Sequence, residues 1–253
     1  MKKVKVAGTP RLWFHHPQGG KQCPGCGHPL VEKICCEVVE ELGIEDRVIA
    51  ITGVGCSTRA FLNFDFDGIM TAHGRAPDVA TGIKRALRGW PIIFTIQGDG
   101  DCVAIGIEAL LNAAFRGEKI TIIMVNNANF GTTGGQMAPT TLPGQKTTTT
   151  PEGRDVQTFG FPVHAPELLA GIRGVVYAAR GALNNPANWS RTKQYIKKAL
   201  QKQIDGLGLS FVEVLSPCPP NWRMSPIEAL KFIEEKMIPE FPLGEFKDVE
   251  SME

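Results

Sequence analysis

Apolar runs of strand length alternate along this chain with longer stretches of helical periodicity. Residues 47–54 (RVIAITGV), 92–97 (IIFTIQ), 119–125 (KITIIMV) and 209–215 (LSFVEVL) are rich in β-branched residues and show little polar alternation. Residues 68–73 and 174–180 add two further strand candidates. Helices are predicted over 29–43, 77–88, 102–116, 188–203 and 225–237. Pro29 and Pro77 suit a first helical turn, and Gly43 suits a helix end. Strands buried on both faces and separated by helices predict an α/β fold, a mostly parallel sheet with helices on both faces. Residues 1–22 read as irregular, with Pro10, Pro17 and Gly19-Gly20, and 131–155 reads as a long loop rich in Gly, Thr and Pro. No internal boundary interrupts the pattern. Residues 1–253 therefore read as one domain, with the Pro-rich stretch 217–226 a candidate hinge to a short C-terminal helical extension.

Composition narrows the function classes. Hydrophobic residues make up 43% of the chain and charged ones 21%, the balance of a soluble globular protein, and the formal net charge of +1 gives no footing for a nucleic-acid partner. The basic N-terminus lacks an apolar secretion core, and no run approaches the ~20 apolar residues of a membrane span. The expectation is a cytoplasmic protein in which the seven cysteines are thiols or metal ligands rather than disulfides.

Gly98-Asp99-Gly100 ends the strand 92–97, and Asn126-Asn127 ends the strand 119–125 after 25 intervening residues. The intervening helix makes this a βαβ unit, so Asp99 and Asn127 leave the carboxyl ends of two parallel strands, where open α/β sheets bind ligands. A carboxylate and an amide oxygen are hard donors suited to Mg²⁺ that also holds a diphosphate. Gly98 and Gly100 leave room for phosphate, and Asp101 is placed to cap the helix beginning at Cys102.

Cys23-Pro24-Gly25-Cys26-Gly27-His28 sets two thiols on a tight turn, while Cys56 and Cys218 each follow a strand in Gly- or Pro-rich sequence. The Cys-x-x-Cys pair alone leaves a zinc half-site, a redox dithiol and half of a cluster site open. Cys35, Cys36 and Cys102 fall within helices and read as small core residues.

These segments resemble the beta subunits of 2-oxoacid:ferredoxin oxidoreductases, a family of thiamine-diphosphate enzymes. The resemblance rests on CPGCGH (23–28), GVGCS (53–57), HGRAPDVATGIK (73–84), GDGD (98–101), NNANFGTTGGQMAPTT (126–141) and LSPC (215–218), in family order. It implies thiamine diphosphate with Mg²⁺ on the side chains of Asp99 and Asn127 and the carbonyl of Asn129. It also implies a [4Fe–4S] cluster on Cys23, Cys26, Cys56 and Cys218. Cys56, Ser57, Thr58, His73, Gly74, Arg75, Asp101, Phe130, Gly131 and Thr132 are expected beside the cofactor, with Arg75 also a candidate for the substrate carboxylate. The implied reaction is oxidative decarboxylation of a 2-oxoacid to acyl-CoA and CO₂, with electrons passed through the cluster to ferredoxin. An alpha subunit would supply the aminopyrimidine domain and the activating glutamate; gamma and ferredoxin-like delta subunits are expected too. The segment 136–150 looks most like subunits acting on 2-oxoisovalerate, with 2-oxoglutarate and pyruvate left open. The Thr/Lys-rich stretch 145–150 is a candidate contact for coenzyme A or a partner. The rivals are a non-oxidative split thiamine decarboxylase, which needs no cysteine quartet, and a zinc-stabilised structural protein, which leaves Asp99 and Asn127 unexplained.

Overall fold

The computed structural model describes residues 8–13 and 22–250, so most of the expected irregular segment 1–22 lies outside it. Among the described residues the chain forms a seven-stranded sheet. The strands are β1 (Val48–Thr52), β2 (Asp67–Met70), β3 (Ile92–Gly98), β4 (Thr121–Asn126), β5 (Val175–Ala182), β6 (Leu209–Leu215) and β7 (Gly244–Asp248), in the order β2-β1-β3-β4-β6-β5-β7. All pairings are parallel except β5 with β7. That last strand escapes sequence reading because GEFKD is polar and only half-buried.

The sheet is covered on both faces. Helix α1 (His28–Leu42) precedes β1, and helices α2 (Ala76–Ala86), α3 (Ile107–Arg116), α4 (Ala165–Ala170), α5 (Pro186–Ile204) and α6 (Pro226–Phe232) follow later strands. Ile34 and Val38 of α1 and Ile196 and Leu200 of α5 share one core with Phe94, Ile123 and Val212. Ala80 of α2, Leu110 of α3 and Leu169 of α4 share the other with Ile51, Ile122 and Phe211. Full burial of each such side chain is worth about 1.5–3 kcal/mol, which is why the strands read as unbroken apolar runs. Cys35, Cys36 and Cys102 lie in these cores, fully buried.

Two local expectations are corrected. The helix predicted over 102–116 is two pieces, a π-helical turn Asp101–Ile105 and α3, with Gly106 between them. Gly106 closes the wider turn by donating to the Asp101 carbonyl at 2.9 Å, and it lies against Gly74, where a Cβ would come within 2.7 Å of the Gly106 nitrogen. The stretch 217–226 is no hinge: its helical turn Pro219–Trp222 is locked onto the β4 loop, where Trp222 Nε1 donates to the Asn127 carbonyl at 3.1 Å. The C-terminal extension then packs Ile233, Met237 and Phe241 over Ala128, Leu142 and Leu215.

A candidate active site of two cavities with a common wall

Because β1, β3, β4 and β6 run parallel, the segments that follow them emerge at one edge of the sheet. Cys56 follows β1, Asp99 follows β3, Asn127 follows β4 and Cys218 follows β6. The first crevice lies at the β1/β3 switch in strand order, the place where doubly wound sheets bind ligands.

That cavity, of about 100 Å³, is bordered by Gly98, Asp99, Gly100, Asp101, Asn127 and Asn129, with Cys56, His73, Phe130, Gly131 and Thr132 around them. Asp99 is 1% exposed; its carboxylate accepts from the Thr140 hydroxyl, and burial pushes its pKa up to about 7. The Asn127 amide oxygen, as oriented, stands 3.3 Å from Asp99 Oδ1 and 2.7 Å from the Asn129 carbonyl oxygen. Turned by half a rotation, the amide would donate two hydrogen bonds instead. In the first orientation three oxygens of hard-donor type converge, and a divalent cation between them relieves their repulsion. A Cβ on Gly98 would stand in open space, so the approach to the carboxylate is clear. These residues fit Mg²⁺ and a diphosphate.

The β4 loop is held in this shape from below. Asn126 Oδ1 accepts from the Ala128 amide at 2.9 Å, Asn126 Nδ2 donates to Glu213 at 2.6 Å, and Thr141 Oγ1 donates to the Ala128 carbonyl at 2.7 Å. These bonds stabilise Ala128 at φ +54°, a left-handed conformation unusual outside glycine. Glu213 is itself fully buried on β6 and paired with Arg180 at 2.7 Å, while Arg180 reaches Glu167 at 2.6 Å. Burial raises the Glu213 pKa and Arg180 opposes the rise. Arg154 supports the next loop by donating to the carbonyls of Pro139 (2.9 Å), Thr141 (2.5 Å), Gly160 (3.0 Å) and Phe161 (2.9 Å). The sequence marks Asn126 only as half of the Asn pair, and does not single out Thr140, Arg154, Arg180, Glu213, Asn221 or Trp222 as site residues. One signal was available: a charged Glu213 in the middle of an apolar strand.

Several expected site residues have other duties. Asp101 does not cap its helix; its carboxylate accepts from His73 Nδ1, from Gln97 Nε2 at 2.6 Å and from the Gly74 amide at 2.8 Å, tying three segments together. Gly74 thus serves that junction and does not border the cavity. Arg75 pairs with Glu108 at 2.5 Å and Asp78 at 3.2 Å and does not border the cavity. Thr58 Oγ1 closes its own turn, donating to the Gly53 carbonyl at 2.7 Å, and Ser57 is buried with its hydroxyl unpartnered; neither borders the cavity. Gly100 borders the cavity and is also required by Phe130, since a Cβ there would come within 2.2 Å of that ring.

The second cavity, of about 180 Å³, is bordered by Cys23, Cys26, Cys56 and Cys218 together. Glycine makes the convergence possible. Gly25 turns the chain at φ +76°, with the Cys26 amide donating to the Cys23 carbonyl at 3.0 Å. A Cβ on Gly27 would lie 2.3 Å from Ser216 Oγ, and this close approach brings the Cys26 loop onto the Cys218 loop. Cys56, Asn127, Gly131 and Thr132 border both cavities and form the wall between them. Among the described residues no three Cys, His, Asp or Glu side chains gather as a group able to hold a single metal ion. A lone zinc needs its thiolates on a tetrahedron of about 2.3 Å radius. Four thiols bordering one cavity with no carboxylate in its wall have the donor chemistry of an iron–sulfur cluster. Burial raises the pKa of Cys56 and Cys218 and pushes Cys26 up to about 12, so a thiolate there needs a bound metal cation beside it to be stable.

Sheet order and site together define a diphosphate-binding domain of the thiamine enzymes, and the family described as the C-terminal thiamine pyrophosphate-binding domain of thiamine pyrophosphate enzymes matches residues 46–214. Ketoisovalerate oxidoreductase subunit VorA of Methanothermobacter marburgensis is 45% identical over 232 residues, 92% of this chain and 48% of that one. The 2-oxoglutarate synthase subunit KorB of Archaeoglobus fulgidus is 35% identical over 213 residues, 84% of this chain and 75% of that one. The chain belongs to the thiamine-diphosphate-binding subunits of the 2-oxoacid:ferredoxin oxidoreductases. It spans about half the length of the ketoisovalerate relatives it matches. A 2-oxoglutarate:ferredoxin oxidoreductase from Magnetococcus marinus, solved with 2-oxoglutarate, coenzyme A and succinyl-CoA bound, superposes with a TM-score of 0.72 over 99% of this chain and 88% of that one. At 24% identity that likeness speaks for the fold alone. Among the described residues no helix is long and apolar enough to cross a membrane.

Proposed function

We propose that this chain is the beta subunit of a CoA-acylating 2-oxoacid:ferredoxin oxidoreductase, holding thiamine diphosphate with Mg²⁺ in the first cavity and a [4Fe–4S] cluster in the second. One observation carries the reading: the oxygen-lined cavity and the four-cysteine cavity share a wall of Cys56, Asn127, Gly131 and Thr132. Thiamine diphosphate supplies the chemistry of 2-oxoacid decarboxylation, and the cluster takes electrons one at a time. This chain's own part is to bind and orient. Asp99, Asn127 and the Asn129 carbonyl hold the metal; the β4 loop fixes their spacing; Gly98 leaves the approach open; the common wall sets the acceptor beside the donor. The balance is one 2-oxoacid and coenzyme A giving CO₂, acyl-CoA and a proton, with two electrons passed singly to ferredoxin.

The activating glutamate and the aminopyrimidine-binding domain belong to an alpha subunit, with gamma and ferredoxin-like delta subunits completing the complex. The substrate is a branched-chain 2-oxoacid such as 2-oxoisovalerate, a reading supported by the 45% identity to a ketoisovalerate subunit. The test is anaerobic purification with the partner subunits, then electron paramagnetic resonance after adding 2-oxoisovalerate and coenzyme A. A reduced-cluster signal dependent on the 2-oxoacid is expected. Thiamine-dependent CO₂ release from a complex free of iron and sulfide would make it a non-oxidative decarboxylase instead.

A further inference from the structure

Three of the four sulfurs around the cysteine cavity each have a polar side chain against them. Thr132 Oγ1 lies 3.0 Å from Cys56 Sγ, Asn221 Nδ2 lies 3.3 Å from Cys218 Sγ, and His28 Nδ1 lies 3.4 Å from Cys26 Sγ. The three come from different segments, and each also belongs to the cofactor side. Thr132 and His28 border the diphosphate cavity, and Asn221 Nδ2 donates to the Gly131 carbonyl at 2.9 Å and reaches Asn129 Oδ1 at 3.3 Å. His28 in particular is 2% exposed, and its Nε2 has no partner, a costly arrangement unless the ring serves its neighbours.

A thiol can donate to a hydroxyl or accept from it, but a metal-bound thiolate carries no proton and can only accept. With iron bound, the direction of all three contacts is therefore fixed. The Thr132 hydroxyl, the Asn221 amide and His28 Nδ1–H each donate to sulfur. Such bonds favour the reduced cluster, because its extra negative charge is spread onto the sulfurs that accept them.

We propose that Thr132, Asn221 and His28 are positioning residues that each donate one hydrogen bond to a cluster sulfur and together raise the reduction potential of the electron acceptor beside the cofactor. This rests on the reading that the four cysteines hold an iron–sulfur cluster. The wall between the cavities thereby supplies both ligands for the metal loop and donors for the sulfurs, so one set of loops fixes both the position and the potential of the acceptor.

The test uses the complex purified anaerobically with its partner subunits. Iron and acid-labile sulfide are counted first, then the cluster is titrated against potential with redox mediators and followed by electron paramagnetic resonance. Thr132→Val replaces the hydroxyl by a methyl of equal size. At the wild-type midpoint its reduced-to-oxidised ratio should fall by about threefold to tenfold, a tenfold change being about 59 mV for one electron. Thr132→Ser should restore the wild-type midpoint, which a purely structural role for the side chain would not require. Asn221→Leu and His28→Phe should shift the midpoint in the same direction, and they carry the comparison if Thr132→Val does not load iron. Wild-type midpoints in the iron-loaded variants overturn the proposal. A wild-type complex without iron would instead remove the cluster reading itself, a result distinct from an unshifted potential.

Discussion

Replacing Asp99 by Asn is expected to stabilise the metal-free protein while abolishing its hold on the cofactor. Asp99 is nearly inaccessible, and burial lifts its pKa from an ordinary 3.8 to about 7. With the folded value above the unfolded one, folding disfavours ionisation. The penalty is absent below about pH 4, grows between about 4 and 7, and is complete above 7. The gap corresponds to about 4 kcal/mol of destabilisation at pH 8, an upper figure that relaxation around the carboxylate reduces to about 2–4. In the variant, the Thr140 hydroxyl can still donate to the new amide oxygen, and the new NH₂ can face the Asn127 amide oxygen that now stands 3.3 Å from a carboxylate. Thermal unfolding of the chain in chelator at pH 8 should show the variant melting roughly 4–12 °C higher, with a much smaller difference at pH 4.5. Adding Mg²⁺ and thiamine diphosphate to the complex at ~100 times the dissociation constant should stabilise the wild type by about 2.7 kcal/mol and the variant not at all. A lower melting temperature for the variant in chelator at pH 8, or an undiminished response to the cofactor, would refute the reasoning.

Three other perturbations separate the parts of the site. Gly27→Ala drives a Cβ to 2.3 Å from Ser216 Oγ and 2.8 Å from Pro217 Cδ, which must part the Cys26 and Cys218 loops. Iron per complex should fall severalfold while calorimetric uptake of Mg²⁺ and thiamine diphosphate persists. Arg154→Met leaves buried carbonyls at Pro139 and Thr141 without their donor, so urea unfolding should show a loss of about 3 kcal/mol and cofactor affinity should weaken as Thr140 loosens. Glu213→Ala orphans the Asn126 amide and half of the Arg180 charge, a loss of about 3–5 kcal/mol by the same assay, whereas Glu213→Gln keeps the acceptor for Asn126 and should lose less.

Much of this arrangement is legible in the sequence because strands buried on both faces leave no doubt about their direction into a βαβ unit. The same βαβ connection puts Asp99 and Asn127 side by side at adjacent strand ends. The cysteine quartet was legible only through resemblance: nothing in the separation of Cys26, Cys56 and Cys218 says that a glycine at 27 lets two loops touch. The cap expected of Asp101 is not formed and Arg75 pairs elsewhere, for a common reason. Both sit in motif segments, yet what claims each side chain lies far off in the chain, Glu108 for Arg75 and the His73–Gly74 turn for Asp101. The scaffold behind the site was hidden for the opposite reason. Asn126, Arg154, Arg180 and Asn221 act through hydrogen bonds to backbone and buried groups, which carry no periodicity and no spacing rule.

Manganese in place of magnesium tests the central arrangement most directly. Mn²⁺ bound to the anaerobic complex with thiamine diphosphate should show hyperfine coupling to phosphorus, and its resonance should broaden when the neighbouring cluster is reduced; both effects should vanish in the Asp99→Asn complex. Manganese bound without phosphorus coupling, or bound equally well in that variant, would mean that these strand ends do not hold the cofactor's metal.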